Sequence, residues 1–329
     1  MRGSLILSTS VGLASLPLVN RTAVASGGIP SPPTNGFSLG PWFVHFYGLM
    51  YVIGIVLAVW MARRRWRAQG GSPDLVDEIA LWGVPAGIVG GRIYFDLTTP
   101  KDIPPHWWGP LAVWDGGLGI WGGVALAAVV GIWRIRRRGA PVGVFMDAVA
   151  PAILVAQAIG RIGNYFNQEL FGGPTSLPWG LHIAAQFRPP GYGQFATFHP
   201  TFLYELLFDL AWAGALVWLG HHRHIRPPGL FALYVTGYSA FRIFEESLRV
   251  DYSQYFLGLR LNFFVASGMT LAGLAWFAYT QRRGATGGRP APEHDAITAT
   301  SEPVVEGPAT GEPPGRETAA HPAPPSVPE

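Results

Sequence analysis

Residues 160–173 read Gly-Arg-Ile-Gly-Asn-Tyr-Phe-Asn-Gln-Glu-Leu-Phe-Gly-Gly and close an apolar run that begins at Phe145. Arg161, Asn164, Asn167 and Glu169 crowd the place where that run meets water. Polar groups at such a boundary are expensive to desolvate, so a cluster of them marks a candidate site. A second group, Arg242, Glu246 and Arg249, ends another apolar stretch. Arg242 and Glu246 are four residues apart, hence on one helix face and able to pair, and Arg249 is expected to continue that face. An arginine near the middle of a membrane span costs roughly 2.5–3.5 kcal/mol on insertion scales. Arg92, Arg161 and Arg242 each sit toward one end of an apolar segment. A shared cavity with an anionic ligand would offset their cost. Guanidinium groups suit phosphate because they bind it bidentately and stay charged. At that depth an anionic phospholipid headgroup is the natural ligand.

The elements that must position these residues follow from composition. Of 329 residues, 49% are hydrophobic and only 13% charged, about half the charge of a globular protein. The charges are clumped and leave long uncharged stretches, which reads as an all-α polytopic membrane protein. The net charge of +3 is small and excludes nucleic acid as an expected partner. There is no cysteine. Disulfides, thiolate metal sites and a cysteine nucleophile are therefore excluded, and any reacting thiol must arrive with a substrate. No His/Glu spacing resembles a zinc site, and no metal or cofactor is expected.

Seven spans are expected near 44–62, 75–96, 117–133, 143–162, 200–219, 229–247 and 261–280. Basic residues follow the odd-numbered spans: Arg63, Arg64 and Arg65; Arg134 and Arg136 to Arg138; Arg223 and Arg226; Arg282 and Arg283. The positive-inside rule then puts the N-terminus outside and the C-terminus in the cytoplasm. Residues 1–28 resemble a weak signal peptide, or else follow a start codon placed too far upstream. A Pro/Gly/Ser-rich entry loop occupies 29–43, the seven-helix catalytic domain 44–283, and a disordered cytoplasmic tail 284–329.

This orientation brings the unusual polar residues into one outward layer. His45 and Tyr47 open the first span, and Arg92, Tyr94 and Asp96 close the second. Asp115, Gly116 and Gly117 open the third, and Arg161, Asn164 and Glu169 follow the fourth. His199, Tyr204 and Glu205 open the fifth, and Tyr238, Arg242, Glu245, Glu246 and Arg249 close the sixth. Each has a plainer reading alone: a snorkelling arginine, an aromatic-belt tyrosine, a loop histidine, a glycine stripe for helix packing. Their joint placement favours a site.

At these residues the chain resembles the prolipoprotein diacylglyceryl transferase family. The stretch from Gly160 to Gly172 is the most specific match. Others are Tyr47-Gly-Leu-Met-Tyr, Gly90-Gly-Arg92, Trp114-Asp-Gly-Gly, His199-Pro-Thr-Phe-Leu-Tyr-Glu205, and Gly237-Tyr238-Ser-Ala-Phe-Arg242 with Glu246 and Arg249. They occur in the family's order over about residues 40–280. The resemblance implies a multi-pass enzyme of the bacterial plasma membrane with its site toward the outer face. Its partners would be phosphatidylglycerol in the lipid bilayer and the lipobox cysteine of prolipoprotein signal peptides. The diacylglyceryl group would move to that thiol as a thioether, releasing glycerol 1-phosphate.

By the same resemblance Arg161 and Arg242 would grip the phosphate, and Asn164 and Glu169 would orient the headgroup or the arginines. Glu246 would hold Arg242. Tyr47, Arg92, Asp115, Gly116, Gly117, Gly172, Tyr238 and Arg249 would contribute to substrate binding. One departure concerns the proton. Where many members carry a histidine, after the Gly-Gly of the third span, this chain has Trp121, which cannot accept a proton. A free thiol has a pKa of about 8.5, so a base or thiolate stabilisation is needed. His199, Glu169 and the arginine layer remain open for that role. A transporter or flippase for an anionic lipid or solute is the competing reading. It would favour inverted repeats and midplane polar residues, neither of which is visible.

Overall fold

Apolar segments punctuated by arginine, proline and glycine become seven helices in the computed structural model, which describes residues 28–283. The helices are α1 (Phe46–Ala68), α2 (Pro73–Thr98), α3 (Ile120–Arg137), α4 (Val142–Asn167), α5 (Thr201–His222), α6 (Gly229–Leu248) and α7 (Leu261–Arg283). Each coincides with one expected segment. The expected leader region up to residue 27 and the tail from 284 lie outside the described residues. Among the described helices, α1, α4, α5 and α7 are long and apolar enough to cross a membrane. The other three carry more charge: Asp74, Asp77 and Glu78 in α2, Arg134, Arg136 and Arg137 in α3, Arg242, Glu245 and Glu246 in α6.

Several helices outrun the expected spans. Helix α1 continues through Arg63 to Arg65 because arginine is a good helix former and basic residues suit a C-terminal turn. More important for the site, α4 runs five residues past the expected end at 162 to Asn167. Arg161 and Asn164 are therefore helical, held one turn apart on a rigid element. Helix α4 is the centre of the arrangement, packing against α1, α5 and α6, while α2 pairs with α3 and α6 with α7.

Small residues set the α2–α3 distance. A Cβ added at Gly90 would lie 2.4 Å from the Gly122 carbonyl oxygen, and one at Gly122 would lie 2.2 Å from the Gly90 oxygen. The backbones meet there because neither residue has a side chain. At the opposite end of α4 from the site, buried Asp147 accepts the Phe231 N–H at 2.8 Å, capping the first turn of α6 from a neighbouring helix. Arg65 of α1 donates to the Ala148 carbonyl at 2.9 Å. The first bond aligns α6, and with it Arg242, against α4, and the second ties α1 to the same end of α4.

The connections are not plain loops. The expected entry loop contains an antiparallel hairpin, β1 (Gly36–Leu39) with β2 (Trp42–His45), turned at Gly40 with φ 59°. Two further short pairs follow, β3 (Leu181–His182) with β4 (Thr197–Phe198) and β5 (Tyr255–Phe256) with β6 (Leu259–Arg260). The segment between α4 and α5 builds its own small core from Phe171, Leu181, Ile183 and Phe198. That core anchors the residues that follow α4.

Candidate functional site

Two local networks and one shared glutamate make the site. The first network lies within nine residues of chain. Arg161 donates through Nη1 to Asn164 Oδ1 at 3.1 Å, Asn164 donates to Glu169 Oε1 at 2.9 Å, and Asn167 donates to the same oxygen at 3.1 Å. Glu169 is presented by a strained turn: its neighbours Gln168 and Leu170 both adopt left-handed φ, 52° and 57°. Such strain in non-glycine residues is kept where the surroundings over-determine it. Here the surroundings are the Gln168 side chain, which accepts the Ala184 N–H at 2.8 Å, and Thr201, whose hydroxyl donates to the Leu170 carbonyl.

The second network is on α6. Arg242 donates through Nη2 to Glu246 Oε2 at 3.2 Å and makes a close charged contact through Nη1 with Glu245. Both glutamates are buried. The expected Arg242–Glu246 pair therefore forms, with Glu245 as an additional partner.

Glu205 of α5 joins the two networks. Its Oε1 lies 3.1 Å from Arg161 Nε and accepts the Tyr238 hydroxyl at 2.9 Å, while its Oε2 accepts from Arg242 Nη1 at 3.4 Å. The Arg161–Glu205 contact is an ion pair without an aligned hydrogen bond, so the Nε proton has no acceptor. Glu205 is 0% exposed, whereas the Arg161 and Arg242 side chains keep 22% and 18% of their surface. Two partly accessible guanidinium groups from different helices thus converge on one buried carboxyl. Such a cradle can receive an anion only where the guanidinium surface stays accessible, with its donors positioned in advance. Tyr47 lies close to it, under the influence of the Glu169 and Arg161 charges, with its hydroxyl 3.0 Å from that of Tyr51.

A cleft of about 560 Å³ opens beside this cluster, lined by Asn35, His45, Asn167, Gln168, Glu169 and Asp251 among others. The two arginines are not among its lining residues, so Glu169 and Asn167 separate the cleft from the cradle.

Other expected site residues fall elsewhere. Arg249 was expected to continue the Arg242 face, but α6 ends at Leu248 and Arg249 is extended, with ψ 142°. Its guanidinium turns instead to Asp251, making two bonds at 2.7 and 2.9 Å. Burial alone would raise the Asp251 pKa. The Arg249 hydrogen bonds, with the charges of Arg249 and Arg260, outweigh it and hold the carboxyl below its ordinary range. The place on the Glu246 side is taken by Arg260, whose Nε donates to Glu246 Oε1 at 2.6 Å.

Arg92 is buried, and its donors are spent on backbone. They reach the carbonyls of Gly109, Pro110, Gly116 and Gly117 at 2.6, 2.9, 2.7 and 3.3 Å. Gly116 and Gly117 have φ of 89° and 77°, the left-handed region that lets both carbonyls turn toward one guanidinium. Asp115 ends the short 3-10 turn just before them. Arg92 with these carbonyls laces the α2–α3 connection, and among the described residues it makes no hydrogen bond to the Arg161 cluster.

His199 pairs with the Tyr204 hydroxyl at 3.2 Å and makes no side-chain bond to the arginines. Its backbone matters more: Gly172 N donates to His199 O at 2.9 Å, and Gly173 N donates to Leu248 O at 2.7 Å. Gly172 is needed for space. An added Cβ would lie 2.8 Å from His199 Cβ and 3.1 Å from Leu248 O. Gly172→Ala is therefore expected to lower stability by about 1–3 kcal/mol through overpacking and to reduce turnover by shifting the turn that holds Glu169. Thermal unfolding in detergent, run beside an activity assay, checks it. A melting curve superposable on wild type would refute the crowding.

The sequence reading placed Glu205 and Glu245 in the polar layer without giving them a role, and passed over Asp209 and Arg260. The acids had a signal, since Glu205 and Asp209 are the only acidic residues in α5 and sit one turn apart on one face.

A family profile for prolipoprotein diacylglyceryl transferase matches residues 35–279. A phosphatidylglycerol–prolipoprotein diacylglyceryl transferase of Bifidobacterium adolescentis is 40% identical over 300 residues, covering 87% of this chain and 89% of the relative. One from Streptomyces coelicolor is 48% identical over 244 residues, covering 71% and 75%. One from Cutibacterium acnes is 45% identical over 245 residues, covering 73% and 82%. The match takes in α1 to α6, nearly all of α7 and every residue of the Arg161–Glu205–Arg242 cluster: this chain belongs to the prolipoprotein diacylglyceryl transferase family.

Proposed function

We propose that this protein transfers the diacylglyceryl group of phosphatidylglycerol to the lipobox cysteine thiol of prolipoproteins, releasing glycerol 1-phosphate. The observation that carries the reading is the convergence of Arg161 and Arg242, from α4 and α6, on Glu205 of α5. Family membership supplies the substrates, since the relatives are named for phosphatidylglycerol and prolipoprotein. They are transferases, and a transporter gains no support from them.

The phosphodiester lies against Arg161 and Arg242 in this reading. The thiol sulfur attacks the diacylglycerol carbon, and the C–O bond breaks with its electron pair going to the phosphate oxygen. The departing phosphate gains charge in that step. Fixed guanidinium donors stabilise this growing charge more than the ground state, which is the condition for catalysis. Asn164 orients Arg161, Glu169 orients Asn164, and Glu246 orients Arg242. Tyr47 and Tyr238 line the cradle, and Gly172 leaves space for the turn that carries Glu169. Arg92 acts by shaping the Gly116–Gly117 connection, and Arg249 by pinning the segment after α6. The nucleophile is the substrate's, because the chain has no cysteine.

In this reading all seven helices cross a bacterial plasma membrane, with the N-terminus out, the C-terminus in and the site toward the outer face. The basic groups at the C-terminal ends of α1, α3 and α7 and after α5 support that orientation. Residues 44–283 form the catalytic domain, 29–43 lead into it, 1–28 act as a leader or lie upstream of the true start, and 284–329 form a cytoplasmic tail.

Wild-type protein in phosphatidylglycerol vesicles with a lipobox peptide is expected to yield a diacylglyceryl-thioether peptide by mass spectrometry. Absence of that product with folded, inserted protein would overturn the assignment.

A further inference from the structure

The cradle holds more carboxyls than its arginines neutralise. Facing one another are Arg161 from α4, Glu205 and Asp209 from α5, and Tyr238, Arg242 and Glu245 from α6. Glu246 also faces Arg242, but its other oxygen is committed to Arg260 and Asn262 at 2.6 and 3.2 Å. Two arginines therefore meet three further acids, before any phosphate is bound.

The geometry around Arg242 Nη1 shows how this is relieved. Glu205 and Glu245 both reach that nitrogen, which sets their carboxyl groups side by side on one donor. Ionised carboxylates only accept hydrogen bonds. A bond between two carboxyls exists only if one of them carries a proton, and like charges this close do not both ionise. Both groups are buried, so water does not screen them. A second observation points the same way. Asp209, 0% exposed and one turn along α5 from Glu205, has no hydrogen-bond partner on either oxygen among the described residues. Buried without a partner, the Asp209 carboxyl is itself favoured to hold its proton, as carboxyls in this cluster are when no donor compensates them.

We propose that Glu205 and Glu245 share one proton and together form the proton relay of the transfer, with the Tyr238 hydroxyl connecting them to the thiol. This rests on the transferase reading. Tyr238 already donates to Glu205. Its oxygen takes the proton from the S–H group as its own passes to the ionised member of the pair. The S–C bond forms and the C–O bond breaks, leaving its electron pair on the phosphate oxygen that Arg242 holds. The other proton of the pair moves to that oxygen. The pair ends with one proton, as it began, and the thiol proton leaves on glycerol 1-phosphate. The relay supplies an acceptor where Trp121 provides none.

Glu245→Gln keeps the shape of the side chain and removes its titration. Turnover is expected to fall about 100-fold or more, with KM for phosphatidylglycerol within a few-fold of wild type and the pH dependence of kcat flattened. Glu205→Gln should do the same. Independently of activity, infrared difference spectra of wild type minus Glu245→Gln should show a protonated-carboxyl C=O band in wild type. An active wild type whose Glu245→Gln variant keeps its kcat and pH profile overturns the relay, and so does the absence of that band. An inactive wild type would instead refute the transferase reading, and the infrared band would still decide whether the pair holds a proton.

Discussion

Arg161→Ala is expected to lower kcat by about 10²–10³-fold, and Arg242→Ala by at least as much, because in the proposed reaction each removes a fixed donor from the departing phosphate. The two differ in what else they disturb. Arg161 keeps 22% of its side-chain surface, and among the described residues its bonded partners are Asn164 and, through the unaligned ion pair, Glu205. Glu205 retains the Tyr238 hydroxyl and Arg242 after the loss. The variant should therefore insert and fold, and its defect should lie in kcat more than in KM. Arg242 is the common partner of Glu205, Glu245 and Glu246. Removing it strands buried carboxylates, at a stability cost of about 3–5 kcal/mol. Arg161→Ala is thus the cleaner test of phosphate stabilisation. Arg161→Lys keeps the charge but loses the planar fork, and should recover only part of the rate. The measurement is initial rate at saturating lipid and peptide, with unfolding followed in parallel. A folded Arg161→Ala protein within threefold of wild-type kcat would end the phosphate-cradle assignment.

How far the site could be read from sequence depended on how local its contacts are. Arg161, Asn164 and Glu169 act within nine residues, so their grouping was visible as a polar knot after an apolar run. Arg242 and Glu246 were visible through helical spacing. Arg249 was misplaced for a physical reason: periodicity cannot say where α6 stops, and one residue past its end the chain turns outward. Arg260 was invisible because its pairing with Glu246 spans 14 residues through a two-stranded turn. The two-residue strands that build such turns are too short to show alternation. Arg92 shows the opposite limit. Its charge and depth marked it for a ligand, yet the folded chain turns four carbonyls onto it, two of them presented by the left-handed Gly116 and Gly117. The seven helices themselves were legible because their apolar runs are long and the basic residues that flank them are clumped.

Glu246 carries the largest expected effect on folding. Its Oε2 accepts from Arg242 at 3.2 Å, and its Oε1 accepts from Arg260 at 2.6 Å and from Asn262 at 3.2 Å, with the side chain 1% exposed. It is one carboxylate holding two guanidinium groups, Arg260 buried and Arg242 partly accessible. Glu246→Gln turns an acceptor into a part donor facing three donors, and should cost about 3–5 kcal/mol, as breaking a buried pair does. The loss reaches beyond α6. Arg260 also donates to the Arg249 and Asp251 carbonyls at 3.0 Å each and to Asp251 Oδ2 at 3.2 Å, so it fastens the whole connection between α6 and α7. Freed from Glu246, Arg242 loses one of its two α6 anchors, and turnover should fall with it. Position and stability can be separated by a double-mutant cycle. Glu246→Leu with Arg260→Leu removes both charges of one pair, and its stability loss should fall short of the sum of the two single losses by a coupling energy of about 0.5–3 kcal/mol. Its activity should stay low, because Arg242 still lacks its anchor. A Glu246→Gln protein that melts with wild type and turns over normally would show that Arg242 is held by Glu205 and Glu245 alone.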